Sequence, residues 1–505
     1  MPPAEVSEEE LWAELDDAQG RRRAEVLLEL ADRSYHRDEM SQFASLVDAA
    51  AVAAEQAEEY RLAAFARFNQ AQGLMETGHP EEAADHFLAA AGFFHTIGDQ
   101  EDIALSNQRA GDAFAAMDRQ AEALERWQDA LLLYEQEEDD LSQGRVHMAI
   151  GNHWMRVGKP AEAVEAFRAA RSRFRSHHSA HHVAWADDAA AEGLIQQGQA
   201  EAAVPLLRSC LDIASVGSDD TARAYAALRL GLVLRILGEH SEALSNLKAA
   251  RDDYQADDNL MGVARCDLEA ANALRALEEF DDAESLYLGA RSVFDALGAD
   301  DYLLLADRQR ASMYSDLGRT AEAVGLARAT LSKAEEVGER RIINDVVPRL
   351  ADDLMDLDEF DEALALLQQH PADADELDEL DTAIRQAVTA RALLAENQFG
   401  QARELTEQAL STDAARDNLA LLAALYELRS QARRGSEPSD ADRDLAHAIA
   451  LLLALGQSDR AAQLSEHFLP DERGAAVRTE DLIALRGLTR PRFDNDIRGP
   501  GLEPR

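Results

Sequence analysis

Eight alanines recur at intervals of 40 residues in this chain, with no insertion or deletion between them. A second series of small residues lies twelve positions before each alanine. Self-similarity at a fixed period is typical of repeat architectures, in which one supersecondary unit stacks on copies of itself. The alanines are Ala83, Ala123, Ala163, Ala203, Ala243, Ala283, Ala323 and Ala363, and the earlier series is Ala71, Gly111, Gly151, Ala191, Gly231, Ala271, Ala311 and Ala351.

Each repeat is predicted to be two helices joined by a tight turn. Breakers such as Gly78-His79-Pro80 and Gly158-Lys159-Pro160 precede the alanine, and helical patterns lie on both sides. Glycine ends a helix in the left-handed conformation and proline suits the first turn of the next. Four residues after the alanine comes a residue that is bulky in most repeats, such as Phe87, Trp127 or Phe167. Spacings of three, four and seven residues place these side chains on one face, so we expect them in the core.

This pattern resembles the tetratricopeptide repeat (TPR), in the 40-residue variety of Pins-type adaptors and of sensor arrays in bacterial regulators. The resemblance rests on the two small columns and on stretches such as Ile150-Gly151-Asn152 with Gly158-Lys159-Pro160. It implies an all-α fold, a right-handed α-solenoid of antiparallel helix pairs (a TPR-like superhelix), with about ten to eleven repeats.

Four segments are predicted along the chain. Residues 1–23 form an acidic segment with a capping helix, and residues 24–411 form the repeat array. Residues 412–469 form a degenerate repeat with C-terminal capping helices, where the 40-residue period is lost. Residues 470–505 are rich in Pro, Gly and Arg and are predicted to be a disordered tail, with a helical period only over 479–488.

The net charge of −47 comes from 97 acidic and 50 basic residues, and only three of the bases are lysine. Such a charge repels nucleic acid and anionic membranes, so neither is expected as a partner. The preference for arginine over lysine suggests a bacterial source with GC-rich coding, with a halophile as the alternative. The acidic N-terminus does not resemble a signal peptide, and the two cysteines suit buried positions in a reducing compartment. The cytoplasm is therefore the expected location.

No motif for catalysis or for a cofactor was found, so the chain is predicted not to be an enzyme and to hold no cofactor. One cluster resembles a metal site: His177, His178, His181 and His182 would form two i,i+4 pairs on a helix. They continue an arginine-rich stretch and have no cysteine nearby. A solvated basic edge is the favoured interpretation, and a metal site is the alternative.

The candidate binding site comes from the TPR resemblance, which implies that the first helix of each repeat lines a concave groove. Carrying over the family positions near the first small residue, and six before it, gives a peptide-binding groove. The pairs Arg145 with Asn152 and Arg265 with Asn272 resemble the arrangement with which Pins-type repeats hold extended peptides. The predicted groove residues are Arg145, Met148, Asn152, Trp185, Tyr225, Arg235, Arg265, Asn272, Arg275 and Arg308.

Four of these residues are arginines in the middle repeats of an acidic protein: Arg235, Arg265, Arg275 and Arg308. Guanidinium groups bind carboxylates through paired hydrogen bonds, which favours an acidic or C-terminal peptide of another protein as the partner. The alternative is that these arginines pair with Asp and Glu of neighbouring helices. The sequence does not decide whether the chain also associates with copies of itself.

The leading functional hypothesis is therefore a non-enzymatic scaffold or adaptor that binds a partner peptide or helix in the groove. A regulatory sensor that sequesters another protein is one alternative. An acidic decoy for basic proteins is another, and steep salt dependence would distinguish it. The tail is also a candidate plug of the groove, in which case deleting 471–505 should tighten partner binding.

Overall fold

The computed structural model describes residues 7–37, 39–217, 219–371, 377 and 379–465, and within them 25 helices and no strand. The chain divides into two compact units, Met1–Asp219 and Asp220–Arg505. The predicted tail, 470–505, lies outside the described residues. Each helix among the described residues is too short or too polar to span a lipid bilayer.

The first unit is a short N-terminal helix followed by five helix pairs. The first helix of each pair is called the A helix and the second the B helix. The A helices begin at residues 20, 60, 100, 140 and 180. The helices of this unit are α1 (Glu8–Asp17), α2 (Gly20–His36), α3 (Met40–Gln56), α4 (Tyr60–Glu76), α5 (Pro80–Ile97), α6 (Gln100–Ala116), α7 (Gln120–Gln136), α8 (Asp140–Arg156), α9 (Pro160–Ser176), α10 (Ala180–Gln196) and α11 (Ala200–Gly217).

The second unit continues the same period with A helices at residues 220, 260, 300 and 340, and then loses it. Its helices are α12 (Asp220–Ile236), α13 (His240–Ala256), α14 (Leu260–Ala276), α15 (Phe280–Leu297), α16 (Asp300–Asp316), α17 (Thr320–Val337), α18 (Arg340–Asp356), α19 (Phe360–Gln369), α20 (Glu379–Ala395), α21 (Phe399–Ser411), α22 (Asp413–Asp417), α23 (Leu419–Arg433), α24 (Pro438–Ala454) and α25 (Ser458–Ser465).

The turns between A and B helices form as their sequence predicts. Gly78 and Gly158 have left-handed backbones, with φ of +79° and +73°, and Pro80 and Pro160 begin the next helices. A left-handed φ carries little steric cost for glycine, so the chain reverses in a few residues. Between repeats, the carboxylate of Asp99 accepts a hydrogen bond from the backbone N–H of Asp102 and so caps α6.

The core of each unit lies between A and B helices. In the first unit, Phe87, Trp127 and Phe167 of the B helices are each no more than 2 % exposed. The indole N–H of Trp127 donates to Asp112 at 3.0 Å, so the polar atom of this buried ring has a partner. The bulky column predicted to be core is confirmed at these positions.

A helices of successive repeats also touch one another, for example α6 with α8 and α14 with α16. The B helices lie behind them. We call the surface that the A helices form within one unit its A-face; each unit has its own.

One kind of ion pair recurs at three junctions between consecutive repeats, one in the first unit and two in the second. An arginine on a B helix binds the aspartate sixteen residues later, on the next A helix: Arg171 with Asp187 at 2.5 Å, Arg251 with Asp267 at 2.6 Å and Arg291 with Asp307 at 2.8 Å. Asp187 is fully buried. A carboxylate in that position is tolerated because a guanidinium faces it, and the pairs fix how neighbouring repeats pack.

The small column of the A helices gives a test of this packing. A Cβ at Gly151 would lie 2.3 Å from Cε1 of the buried Phe167 ring, whereas a Cβ at Gly92, in the exposed part of α5, would meet nothing within 4 Å. Gly151→Ala should lower the free energy of unfolding by about 1–3 kcal/mol through overpacking. Gly92→Ala should raise it by about 0.5–1 kcal/mol because alanine favours the helix. Urea denaturation measures both changes in the free energy of unfolding, and changes of the same sign would contradict this packing.

Candidate functional site on the A-faces

Three predicted groove residues, Arg145, Asn152 and Trp185, are exposed on the A-face of the first unit. Arg145 and Asn152 lie seven residues apart on α8, which places them on the same side of the helix, and both are exposed. Trp185 occupies the position on α10 that Arg145 occupies on α8, and it is 45 % exposed. Arg145 and Asn152 make no side-chain hydrogen bond or ion pair with any residue in the described part of the chain.

Trp185 is held in place by neighbouring rings. Its centroid lies 6.3 Å from that of the buried Phe174 and 6.3 Å from that of His182. The pKa of His182 is lowered, first by burial and next by the charge of Arg145, which places Arg145 near this ring. The tryptophan therefore offers a fixed apolar surface beside an available guanidinium.

One predicted groove residue of this unit is not on the surface. Met148 is 1 % exposed and packs in a core cluster with Phe167 and Phe174. It precedes Gly151 by three residues, so it shares the face of α8 that packs against the B helix. The prediction of Met148 as a groove residue is wrong, because the family position carried over there faces the core in this chain.

The histidine cluster does not form the predicted helical pairs. His177 is the C-cap that follows α9, and His178 has a left-handed backbone with φ of +57°, whereas His181 and His182 lie in the first turn of α10. A turn therefore separates the two halves of each i,i+4 pair. In the described part of the chain, no group of three or more His, Cys, Asp or Glu side chains is placed to hold a metal ion.

On the A-face of the second unit, predicted groove arginines are engaged by acids of the next A helix. Arg235 binds Glu269 at 3.1 Å and Arg275 binds Asp316 at 2.5 Å. Arg308, which is 4 % exposed, lies 3.4 Å from Asp345. These contacts are the pairing with neighbouring helices that was the alternative to peptide binding.

The remaining predicted residues of this unit are also engaged or partly covered. Asn272 is 7 % exposed, accepts a hydrogen bond from the Tyr287 hydroxyl at 2.6 Å and donates to Glu269 at 3.3 Å. Both ends of its amide are therefore used within the unit. Arg265 is half-buried, with its guanidinium carbon 5.7 Å from the centroid of the Tyr302 ring, and Tyr225 is half-buried in α12.

A small polar pocket of about 120 Å³ opens between α16 and α18. Arg308 and Arg349 line it near the middle of these helices, and Asp316, Asp352 and Asp353 line it nearer the C-terminal ends. The Ser315 hydroxyl donates to Asp353 at 2.9 Å. Burial raises the pKa of the Asp353 carboxyl to about 6; the charges of Asp352 and Asp356 act in the same direction, and the Ser315 hydrogen bond opposes them.

The raised pKa of Asp353 predicts a pH dependence of stability. A carboxyl whose pKa is higher in the folded state stabilises the fold when protonated, so its contribution is full below the unfolded value of 3.8 and is lost as the pH rises to about 6. Asp353→Asn should therefore flatten the stability profile between these values, as measured by urea denaturation across that range. Asp361→Asn, at an exposed position outside the pocket, is the control. An unchanged profile in Asp353→Asn would contradict the assignment.

The acidic residues that pair with these arginines could not be predicted from the sequence. Glu269, Asp316 and Asp345 lie 34, 41 and 37 residues after their partners, so no constant spacing reveals them. The recurring ion pairs between a B helix and the next A helix were detectable in the sequence. In each, an arginine is followed sixteen residues later by an aspartate, and the arginines lie a multiple of 40 residues apart.

No protein family model and no curated protein matches the sequence. Solved structures of helical proteins resemble the fold. The apo form of RapI is 12 % identical, with a TM-score of 0.44, over 58 % of this chain and 99 % of that one. The apo quorum sensor NprR from B. thuringiensis is 14 % identical, with a TM-score of 0.45, over 72 % of this chain and 98 % of its own.

The Cut9-Hcn1 hetero-tetramer of the APC/C is 12 % identical, with a TM-score of 0.43, over 92 % of this chain and 93 % of that one. All three TM-scores lie below 0.5, and nothing about function passes from these proteins to this chain. The helix pairs of the chain, with their 40-residue period and the small residues where the helices cross, show the fold: each unit is a TPR-like stack of antiparallel helix pairs.

Proposed function

We propose that the chain is a non-enzymatic interaction scaffold that binds an extended segment of a partner protein on the A-face of its first unit. The observation that carries the proposal is the set of Arg145, Asn152 and Trp185. All three are exposed on neighbouring A helices, and the polar groups of Arg145 and Asn152 are engaged by no residue in the described part of the chain.

The chemistry of the three side chains suits a peptide. An asparagine amide offers one donor side and one acceptor side, which match the C=O and N–H of an extended backbone. The guanidinium of Arg145 pairs with a carboxylate, either an acidic side chain or a free C-terminus. Trp185 supplies apolar area for a neighbouring side chain of the ligand. The proposed ligand is therefore an extended segment with an acidic or C-terminal carboxylate beside an apolar residue.

The equivalent side chains of the second unit are already engaged, which favours the first unit as the binding surface. At the equivalent of Asn152, the amide of Asn272 is engaged on both sides by Tyr287 and Glu269. The arginines at positions 235, 275 and 308 face carboxylates of their own chain. A ligand carboxylate would have to displace these partners, whereas at Arg145 it would displace only water.

Partner capture tests the proposal. The intact chain and two variants are used as bait in a lysate of the source organism: Arg145→Glu on the A-face and Arg168→Glu on the B helix α9. Both arginines are exposed in the first unit, so the two variants carry the same change of charge. The proposal expects a protein captured by the parent and by Arg168→Glu but lost from Arg145→Glu. Capture that is retained or strengthened in both variants, with steep salt dependence, would indicate instead an acidic decoy, because each Arg→Glu change makes the chain more negative.

A further inference from the structure

The polar pocket between α16 and α18 lies where the bulky column of the core is interrupted. In most repeats a bulky side chain of the B helix fills the corresponding space beside the A helix. Tyr287 of α15, for example, is 1 % exposed, and its hydroxyl donates to Asn272 of α14. Forty residues later the same two positions are Ala327 and Ser312, and both line the pocket. Alanine in place of a ring therefore leaves the space open.

The size of the pocket limits what it can hold. Pockets that bind drug-sized ligands enclose about 300–1,000 Å³. An apolar cavity of about 150 Å³ takes up one benzene ring. The pocket beside Ala327 has a volume of about 120 Å³, so it fits a molecule of about five or six non-hydrogen atoms.

Most charged side chains of the pocket already have an ion-pair partner in the chain. The pairs are Arg308 with Asp345 at 3.4 Å, Asp316 with Arg275 at 2.5 Å and Asp352 with Arg391 at 2.5 Å. Arg349 and Asp353 also line the pocket, and neither forms an ion pair with any residue that the structure describes. Arg349 donates to the Ser312 hydroxyl at 3.3 Å, and Asp353 accepts from the Ser315 hydroxyl at 2.9 Å. One positive and one negative charge therefore lack a direct counter-charge.

These two charges lie close together. Arg349 and Asp353 are four residues apart on α18, which places them on one face of the helix. Burial raises the pKa of the Asp353 carboxyl to about 6, and the charge of Arg349 opposes this only in part. The carboxylate is therefore poorly compensated by its own chain, and a cationic group of a ligand would stabilise it.

A small zwitterion matches this arrangement. A guanidinium forms paired hydrogen bonds with a carboxylate, and a carboxylate accepts hydrogen bonds from an ammonium group. A free α-amino acid carries both groups on a single carbon atom, so one molecule offsets both charges. A simple amine would offset only Asp353 and a simple carboxylate only Arg349, and each would leave the other charge uncompensated in a partly buried site.

From the open space beside Ala327, the volume of the pocket and the two unpaired charges, we infer that the pocket binds a small free α-amino acid of the size of glycine or alanine. Its carboxylate pairs with Arg349 and its ammonium group with Asp353. The pocket belongs to the second unit, so the inference does not depend on the partner-binding surface proposed for the first.

Titration of the full-length chain by saturation-transfer NMR, at a pH above the pKa of Asp353, tests this inference. The probes are glycine and L-alanine, with methylammonium and acetate as molecules that carry only one of the two charges. The amino acids should bind with dissociation constants on the order of millimolar, in keeping with their few non-hydrogen atoms. Each single-charge probe should bind at least about tenfold more weakly. Physiological salt screens adsorption of cations to the acidic surface. Absence of saturable glycine binding, or equal affinity for glycine and methylammonium, would overturn the inference.

Ala327→Leu tests whether the open space holds the ligand. Leucine occupies the equivalent positions at Leu207 and Leu247, both fully buried, so the fold should accept it while the pocket is filled. We expect glycine binding to be lost. The control is Ala329→Leu, which adds the same side chain at an exposed position of α17 and should leave the affinity unchanged. Equal affinity of the parent and of Ala327→Leu for glycine would overturn the inference.

Asp353→Asn and Arg349→Gln test the two charges. Each substitution removes one charge and keeps a polar side chain, so glycine binding should weaken about tenfold or more in each variant. Asp361→Asn, at an exposed position outside the pocket, should bind glycine as the parent does. If the urea midpoint shows that Ala327→Leu does not fold, the two charge variants decide the inference alone. Unchanged affinity in both would overturn it, and so would an equal loss in Asp361→Asn, which indicates adsorption to the acidic surface.

Discussion

Trp127→Ala is expected to destabilise the first unit by about 3–5 kcal/mol, the range for removing a buried aromatic side chain. Trp127 is 1 % exposed and packs in the seam between α6 and α7. The substitution removes the ring and also the donor to Asp112, a carboxylate whose pKa is raised by burial. Asp112 keeps its contact with Arg109 but loses the indole donor, which adds to the cost.

The matched control is Leu132→Ala on the same helix. Leu132 is 58 % exposed, so its removal should change the free energy of unfolding by less than about 0.5 kcal/mol. Urea denaturation followed by far-UV circular dichroism measures both variants. In a stack of repeats the loss should be greatest in the helices around α7, which hydrogen exchange resolves. Similar losses in the two variants would show that Trp127 does not hold this seam.

Trp185→Ala is expected to weaken partner binding by at least about 30-fold, which corresponds to the 2 kcal/mol or more that defines an interface hot spot. The reason is that Trp185 exposes a large apolar ring already fixed against Phe174 and His182, so little conformational entropy is lost when a ligand covers it. Isothermal titration calorimetry with the captured partner measures the effect.

Leu132→Ala again serves as the control, because it removes exposed apolar area from a B helix of the same unit. Its affinity should equal that of the parent. The folding of Trp185→Ala is checked by its urea midpoint, which should stay close to that of the parent because the side chain is 45 % exposed. Unchanged affinity in the folded variant would remove Trp185 from the proposed site.

The repeat architecture was predictable because its signals are local. Gly78 and Gly158 with their following prolines determine the turns, and the small column that includes Gly151 determines where A and B helices cross. A period of 40 residues repeats these signals until α18, so the A helices begin where the sequence places them. The predicted segment boundaries after residue 411 remain proposals.

The candidate site was predictable only in part, because exposure depends on contacts between helices. Arg145, Asn152 and Trp185 are exposed on A helices, and their role in binding remains a proposal. Met148 and Arg308 occupy a position three residues before the small column, which faces the packed side. The ion pair between Arg235 and Glu269 depends on how α12 and α14 align. The sequence alone does not determine this alignment, so it left open whether Arg235 binds a ligand or a carboxylate of its own chain. The sequence predicted a candidate surface but not which of its side chains are engaged within the chain.

The most direct test of the central claim is site-specific photo-cross-linking in the cell. A photoreactive phenylalanine derivative is placed at Asn152 on the A-face and, in a separate variant, at Arg168 on the B helix α9; both positions are exposed in the same unit. Binding on the A-face predicts a discrete cross-linked partner from position 152 and none from position 168. A partner that cross-links from 168 and not from 152 would contradict the claim and place the binding surface on the B helices.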